Sequence, residues 1–198
     1  MIQKKKLSSV AKISVGQTFR EKAEAISDES GIRLIQIKDI REGALIDADE
    51  LPFAEIDPAK IKVSLTFGDV LLPLRGNRSE AMLYSVKNSD ILVVTTNQVA
   101  VIKSLDQGVG SAYFHWYLNS PFGRRALDSI RGGATIPNIS IKNLSEIEIP
   151  IPGPEDQGMI LQIYDNWCKQ KSVLQELLVN GENLMASACM QVLEGEVK

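Results

Sequence analysis

The C-terminal fifth of the sequence carries a heptad spacing of mostly apolar residues, which limits the possible folds more than any other feature. Proline is absent between Pro154 and Val192, and the two acidic residues after Pro154 suit a helix N-terminus. With Ile160 at position a, apolar residues occupy seven of the ten a and d positions. This spacing predicts a helix that packs along its length on a partner helix. The predicted interface consists of Ile160, Ile163, Trp167, Leu174, Leu177 and Leu184.

The length of this predicted helix implies a partner. About 38 residues at roughly 1.5 Å each make a rod of about 57 Å. A body of about 150 residues has a diameter of only roughly 35–40 Å. Part of the apolar stripe is therefore expected to pack on another chain. The alternative is a helix that folds back as a hairpin at Asn180 and Gly181.

The preceding residues alternate between β-rich runs and short helical patterns. Strands are predicted in residues 32–40, 61–74, 82–86, 91–103 and 145–152. The run 61–74 has a hinge at Gly68 and Asp69, and the run 91–103 has a break near residues 95–97. Helical spacing on both sides of Pro121 predicts two short helices in residues 111–131. The aromatic cluster YFHWY at 113–117 suits the core better than the alternative, a platform for stacking bases. The sequence thus predicts an α+β domain of short mixed or antiparallel strands and small helices over residues 1–152. One long coiled-coil-type helix follows over residues 153–198.

Composition excludes several classes of function. The chain is 44% hydrophobic and 24% charged, as in ordinary globular proteins. Its one histidine, His115, excludes Ser-His-Asp and multi-histidine metal sites within one chain, and Cys168 and Cys189 lie far apart without a ligand pattern. We therefore expect no catalytic residue, metal or cofactor in this chain. No apolar run approaches a membrane span and residues 1–15 lack a signal-peptide core, so the expected location is cytoplasmic.

Two glycine-containing basic segments are candidates for contact with nucleic acid. In GDVLLPLRGNR (68–78), Arg75 and Arg78 are spaced to hold two phosphates, or a phosphate and a base edge; the alternative is a solvated hairpin tip. Arg124, Arg125 and Arg131 form a weaker basic patch before the glycine-rich turn GGATIPNIS. The net charge of the chain does not favour nucleic-acid binding, because residues 155–198 have a net charge of −4 and residues 1–154 a net charge of only +1.

Taken in order, these segments resemble the DNA-specificity subunit of type I restriction–modification systems. Six segments carry the resemblance: IRLIQIKDI (32–40), GDVLL (68–72), TTNQVAVIK (95–103), SAYFHWYLNS (111–120), GGATIPNIS (132–140) and IPIPGPEDQGMILQI (149–163). Family members typically hold two target-recognition domains and two helices in one chain. This sequence shows no internal repeat and has room for one copy, so it resembles a half-length form.

The resemblance implies sequence-specific recognition of double-stranded DNA by a non-catalytic subunit. It implies partnership with a methyltransferase (modification) subunit and a restriction subunit, which would hold S-adenosylmethionine, ATP and magnesium. A homodimer with antiparallel helices would then read an interrupted palindrome. The rival interpretation is a protein-interaction adaptor that uses its long helix and does not bind DNA, which the lack of net positive charge favours.

Overall fold

A computed structural model describes residues 2–19, 23–24, 31–43, 46–77, 79–87, 90–105, 108–133 and 136–195. The chain divides into two compact units, Met1–Gln157 and Gly158–Lys198. The described strands are β1 (Gln3–Lys6), β2 (Ala11–Val15), β3 (Ile32–Ile35), β4 (Val70–Pro73), β5 (Met82–Leu83), β6 (Leu92–Thr95), β7 (Val99–Ser104) and β8 (Glu148–Ile151). The described helices are α1 (Leu7–Val10), α2 (Ser111–Asn119), α3 (Pro121–Ser129), α4 (Ile141–Ser145) and α5 (Pro154–Leu193).

The largest sheet lies at the centre of the first unit. Its strand order is β2-β7-β4-β5 and every pairing is antiparallel. All four residues of β4 are buried, and because alternate side chains point to opposite faces, both faces of this strand are covered. Leu71, Met82 and Val101 of this sheet share a core cluster with Ile35 and Val93 of the neighbouring strands. One continuous apolar core therefore joins this sheet to the pair formed by β3 and β6.

Strands β3 and β6 run parallel, and this pairing sets the position of the next turn along the chain. In their register Ile35 lies opposite Thr95, so both strands end at the same level. The chain then turns through residues 96–98 and enters β7, whose first residue Val99 lies opposite Pro73 at the end of β4. The β6–β7 turn consequently lies between the end of β3 and the end of β4.

The helices α2 and α3 meet at a single serine–proline step and anchor the last strand. Ser120 closes α2, and its hydroxyl accepts a hydrogen bond from the Gly123 backbone at 3.1 Å, which caps α3 at its Pro121 start. The Tyr113 hydroxyl donates to the Pro150 carbonyl at 2.6 Å, and burial raises the pKa of Tyr113 to about 12. Strand β8, which pairs with β1, is thereby tied to α2.

Most predicted elements agree with the structure. The α+β fold class is confirmed, as are two strands in residues 91–103 with the predicted break, two helices split at Pro121, and a strand within residues 145–152. The aromatic side chains of Tyr113, Phe114 and Tyr117 belong to the core, as expected, whereas Trp116 of the same cluster is half-buried. Strands β1 and β2 were not predicted. They lie on either side of α1 in the N-terminal segment, where four residues are lysines.

Three strand predictions are wrong in extent. The strand predicted over residues 82–86 covers only Met82–Leu83. The other two differ because of local side-chain hydrogen bonds. The strand predicted over residues 32–40 ends at Ile35, because Asp39 accepts a hydrogen bond from the Gln36 backbone at 2.9 Å and starts a 3-10 turn. Residues 61–67 form no strand. There the Asp69 carboxylate accepts hydrogen bonds from both the backbone and the hydroxyl of Thr66, at 2.8 and 3.1 Å. In both segments a side-chain carboxylate thus accepts a local hydrogen bond from the backbone.

The long helix α5 is continuous over 40 residues. The hairpin alternative is wrong, because the helix passes through Asn180 and Gly181 without a break. Its first turn is fixed by Gln157, which is buried and donates to the carbonyls of Gly108 and Pro152 at 2.7 and 2.9 Å. Within the described ranges, no helix has both the length and the apolar character needed to cross a bilayer.

Candidate DNA-binding groove and the exposed face of the long helix

An open groove of about 630 Å³ lies where three strand ends converge. Its described lining comes from the segment after β3, the loop after β4, the β6–β7 turn and the loop after α3. The lining residues are Ile37, Lys38, Arg41, Arg75, Gly76, Asn77, Gln98 and Ile136. Three of these eight are cations and none is a carboxylate, so the described lining itself carries three positive charges although the first unit is nearly neutral.

Four polar side chains of the groove are available for a ligand. Arg41, Arg75, Asn77 and Gln98 are exposed, and no hydrogen bond or ion pair engages their side chains within the described part of the chain. Lys38 donates to the Glu24 carboxylate at 2.8 Å, and this contact raises the pKa of Lys38, which stays protonated. That pair is exposed to solvent, so a competing anion such as a phosphate can displace the Glu24 carboxylate from Lys38.

The loop after α3 forms part of the groove wall beside Arg75. The Gly76 backbone donates to the Pro137 carbonyl at 3.0 Å, and the Ile139 backbone donates to the Leu74 carbonyl at 2.8 Å. Gly76 has φ 90°, a conformation that favours glycine and turns the chain between Arg75 and Asn77. The two glycine-containing segments that the sequence analysis singled out separately therefore lie side by side.

The five arginines predicted to face DNA occupy different environments. Arg75 lines the groove, and Arg78 lies outside the described residues. Arg125 is exposed on α3, with its guanidinium 5.0 Å from the centre of the Phe122 ring. The other two, Arg124 and Arg131, are held by groups of the protein itself.

Arg124 and Arg131 each tie a helix to a segment that lines the groove. The Arg124 guanidinium donates to the Glu42 carboxylate at 2.7 Å and to the Asn119 carbonyl at 2.9 Å. Glu42 directly follows the groove residue Arg41 in the chain. Arg131 donates through one terminal nitrogen to the Gly76 carbonyl at 2.9 Å. Its buried Nε lies 3.4 Å from the Asp128 carboxylate, an ion-pair distance without hydrogen-bond geometry. Both arginines brace the groove from behind.

His115 lies in the polar cluster behind the segment of Arg41. Burial lowers the pKa of His115, while the negative charge of Glu42 and a hydrogen bond to the Ala81 backbone act in the opposite direction. The nearby Asn119 side chain accepts from the Ala81 backbone at 2.8 Å and donates back to it at 2.9 Å. Helix α2 is thus linked by polar contacts to the segments that precede β5 and follow β3.

The sequence patterns did not indicate four polar residues of the lining: Lys38, Arg41, Asn77 and Gln98. Lys38 falls within residues 32–40, predicted to be one strand with alternate side chains on opposite faces, and Arg41 follows directly after that segment. Asn77 lies between the two arginines of the predicted basic loop, and Gln98 directly follows the break predicted near residues 95–97. A polar side chain at such a break was the available signal.

The described part of the second unit exposes a long apolar stripe. Of the predicted interface residues, Ile160 is half-buried, and Ile163, Trp167, Leu174, Leu177 and Leu184 are between 54% and 72% exposed. Leu178, Met185 and Val192, spaced seven residues apart, are also more than half exposed and were not predicted. Large contiguous apolar surfaces mark sites of protein contact.

The fold and groove define an α+β recognition module followed by a helix suited to packing on another helix. The family model described as "Type I restriction modification DNA specificity domain" matches residues 2–178. The chain therefore belongs to the family of type I restriction–modification DNA specificity domains. This confirms the resemblance drawn from the ordered sequence segments.

Individual relatives share the family or the fold. Over 88 residues the chain is 32% identical to the "Type I restriction enzyme MjaIX specificity subunit" of Methanocaldococcus jannaschii, covering 43% of this chain and 20% of that protein. The HsdS subunit from Thermoanaerobacter tengcongensis has a TM-score of 0.63 at 16% identity, over 88% of this chain and 39% of that one. A type I restriction-modification system S subunit from M. genitalium has a TM-score of 0.58 at 16% identity, over 89% of this chain and 41% of that one.

A further solved chain comes from a study of complex assembly and conformational transition of the type I R-M system. Its TM-score is 0.67 at 18% identity, over 91% of this chain and 41% of that one. The chain thus spans a fifth of the curated relative and about two fifths of these solved chains.

Proposed function

We propose that this chain recognises a specific double-stranded DNA sequence and places a methyltransferase subunit, and through it a restriction subunit, on that site. One observation carries the proposal: exposed cations and amides converge in one groove whose described lining lacks carboxylates. Family membership supports it. Methylation and cleavage, with S-adenosylmethionine, ATP and magnesium, belong to the partner subunits, and this chain supplies no catalytic residue.

The groove residues divide into phosphate-binding groups and bracing groups. Arg75 and Arg41 carry the unpaired positive charges, and Lys38 adds a third by exchanging Glu24 for a phosphate. Arg124 and Arg131 act on DNA through the segments that they hold. The near-neutral net charge of the first unit is compatible with this role, because the local field in the groove decides phosphate binding.

Charge removal in the groove tests the DNA-binding role. Arg41→Ala and Arg75→Ala should each weaken binding of random-sequence duplexes by the complex assembled with the methyltransferase subunit. Each should also reduce the slope of log K against log salt by about 0.9, because one fewer phosphate is neutralised. Lys60→Ala is the matched control, since it removes an exposed charge outside the groove lining. Unchanged affinity and slope in both groove variants would contradict the proposal.

The apolar stripe of α5 supports a second part of the proposal, pairing with another copy. Two helices packed antiparallel would cover Ile163, Trp167, Leu174 and the stripe residues beyond them. A two-fold axis would then place two recognition units at opposite ends, so the target would be an interrupted palindrome. Under this arrangement Gln170 and Gly181 interrupt the stripe and weaken the dimer until the methyltransferase subunits bind.

Charges on the stripe test the pairing. Leu174→Asp with Leu177→Asp should leave a folded monomer in analytical ultracentrifugation and abolish modification by the assembled complex. Ser172→Asp with Gln175→Asp places the same charges on the opposite side of the helix and should preserve assembly. One copy of this chain per active complex, together with a target that is not palindromic, would refute the dimer. Assembly without any DNA binding would favour the adaptor interpretation.

A further inference from the structure

Gln98 lines the groove from a turn that backbone hydrogen bonds hold in place. The turn joins β6 to β7 between the ends of β3 and β4, which carry the groove cations on either side. Three backbone hydrogen bonds fix it: Gln98 accepts from Leu74 at 2.8 Å, Val99 donates to Thr96 at 3.0 Å, and Asn97 donates to Gln17 at 2.7 Å. The backbone is thus held while the Gln98 side chain stays exposed and without a hydrogen-bond partner in the described part of the chain.

The flanking charges indicate which part of a duplex meets Gln98. Lys38 and Arg41 lie in the segment after β3, and Arg75 lies in the loop after β4. In DNA, phosphates run along both rims of the major groove and base edges lie between them. When cations on both flanks hold phosphates, the uncharged residue between them faces the base edges.

The chemistry of the groove selects one base pair. A glutamine amide has one acceptor and two donors, which match the N6 amino group and N7 of adenine in a bidentate pair. Ile136, which is 62% exposed, adds an apolar side chain to the same groove, and thymine presents the only methyl group in the major groove. We propose that Gln98 is a specificity-determining residue that reads adenine in an A·T pair of the target, with Ile136 against a thymine methyl.

This inference rests on the DNA-binding role proposed above, so its test measures base preference separately from affinity. The wild-type complex and its variants would each select bound duplexes from a random-sequence pool, followed by competition between duplexes that differ at one base pair. Gln98→Ala should reduce the preference for A·T at one position by about 5- to 150-fold. The preference at other positions and the salt slope should stay unchanged. Gln98→Glu should shift that same position toward C·G, because a carboxylate accepts from the cytosine amino group.

The adjacent residue provides a matched control. Asn97 is also an exposed amide in the turn, but it does not line the groove. Asn97→Ala should therefore leave every base preference unchanged. Circular dichroism and thermal unfolding establish that each variant is folded.

The outcomes distinguish a failure of the proposed DNA binding from a failure of the base contact assigned to Gln98. If the wild-type complex shows no salt-dependent affinity for duplex DNA, the proposed function fails. If it selects a defined site and Gln98→Ala selects the same site with equal preference at every position, the inference about Gln98 fails while DNA binding stands. A uniform loss of affinity in Gln98→Ala, without change at one position, also overturns the inference.

Discussion

The pair formed by Glu42 and Arg124 offers the sharpest test of whether the predicted basic patch touches DNA or braces the groove. The guanidinium and carboxylate are 2.7 Å apart, and the two side chains are 42% (Arg124) and 28% (Glu42) exposed. Measured exposed pairs contribute about 0.2–1 kcal/mol, so for this partly buried pair we expect about 1 kcal/mol of coupling. If the pair positions Arg41, Glu42→Gln and Arg124→Gln should each weaken DNA binding about 2- to 5-fold.

A double-mutant cycle makes the expectation specific. The double variant should have the same DNA affinity as the single variant that binds DNA less tightly, because both changes break the same contact. The salt slope should be unchanged in all three, since no phosphate contact is lost. Glu50→Gln, which removes a nearby exposed carboxylate beside Arg41, controls for the change in charge.

Direct contact between Arg124 and DNA would give a different pattern. Glu42→Gln would then release the guanidinium and strengthen binding beyond the Glu50→Gln control. Arg124→Gln would lower the salt slope by about one phosphate equivalent. Either result, measured by fluorescence anisotropy at several salt concentrations, would refute the bracing role of Arg124.

Two further predictions concern stability. Burial lowers the pKa of His115 below its ordinary value of 6.5, so the unfolded chain binds the proton more tightly than the folded chain. The free energy of unfolding should therefore fall as the pH drops below about 6.5, and His115→Gln should reduce this loss in denaturant titrations. An identical pH dependence in the two proteins would contradict the prediction. Gly123→Ala should destabilise the fold by at least about 1–3 kcal/mol, because its Cβ would lie 2.0 Å from the Tyr117 carbonyl oxygen. At Gly181 an added Cβ would have no atom within 4 Å, so Gly181→Ala should stabilise α5 by about 1 kcal/mol. Thermal unfolding of the two glycine variants measures this contrast, and equal effects on stability would refute it.

The sequence by itself determined the elements whose signals are local. Proline at the first helical position, the acidic first turn and a long run without proline predicted where α5 begins and that it continues without a break. The step at Pro121 separated α2 from α3 because proline fits a first helical turn and disrupts a helix interior. The ordered segments also indicated the family without any single decisive motif.

Strand boundaries depended on contacts that local patterns do not contain. Residues 61–67 have β-rich composition, but Asp69 binds Thr66 locally and no strand forms. β1 has little apolar character of its own and is defined by pairing with β8, about 145 residues away. Such pairings are set by the whole sheet, because strand propensity reflects packing against neighbours.

Only the tertiary structure decided which polar residues form the groove. Arg75, Arg124 and Arg131 looked alike in the sequence, yet one is exposed in the groove and two are bonded to the protein. Gln98 came to the groove because parallel β3 and β6 end at the same level, beside the end of β4. A guanidinium satisfies the same hydrogen-bonding need with a carboxylate, a carbonyl or a phosphate. Its partner therefore depends on what the fold places beside it, which sequence spacing alone does not specify.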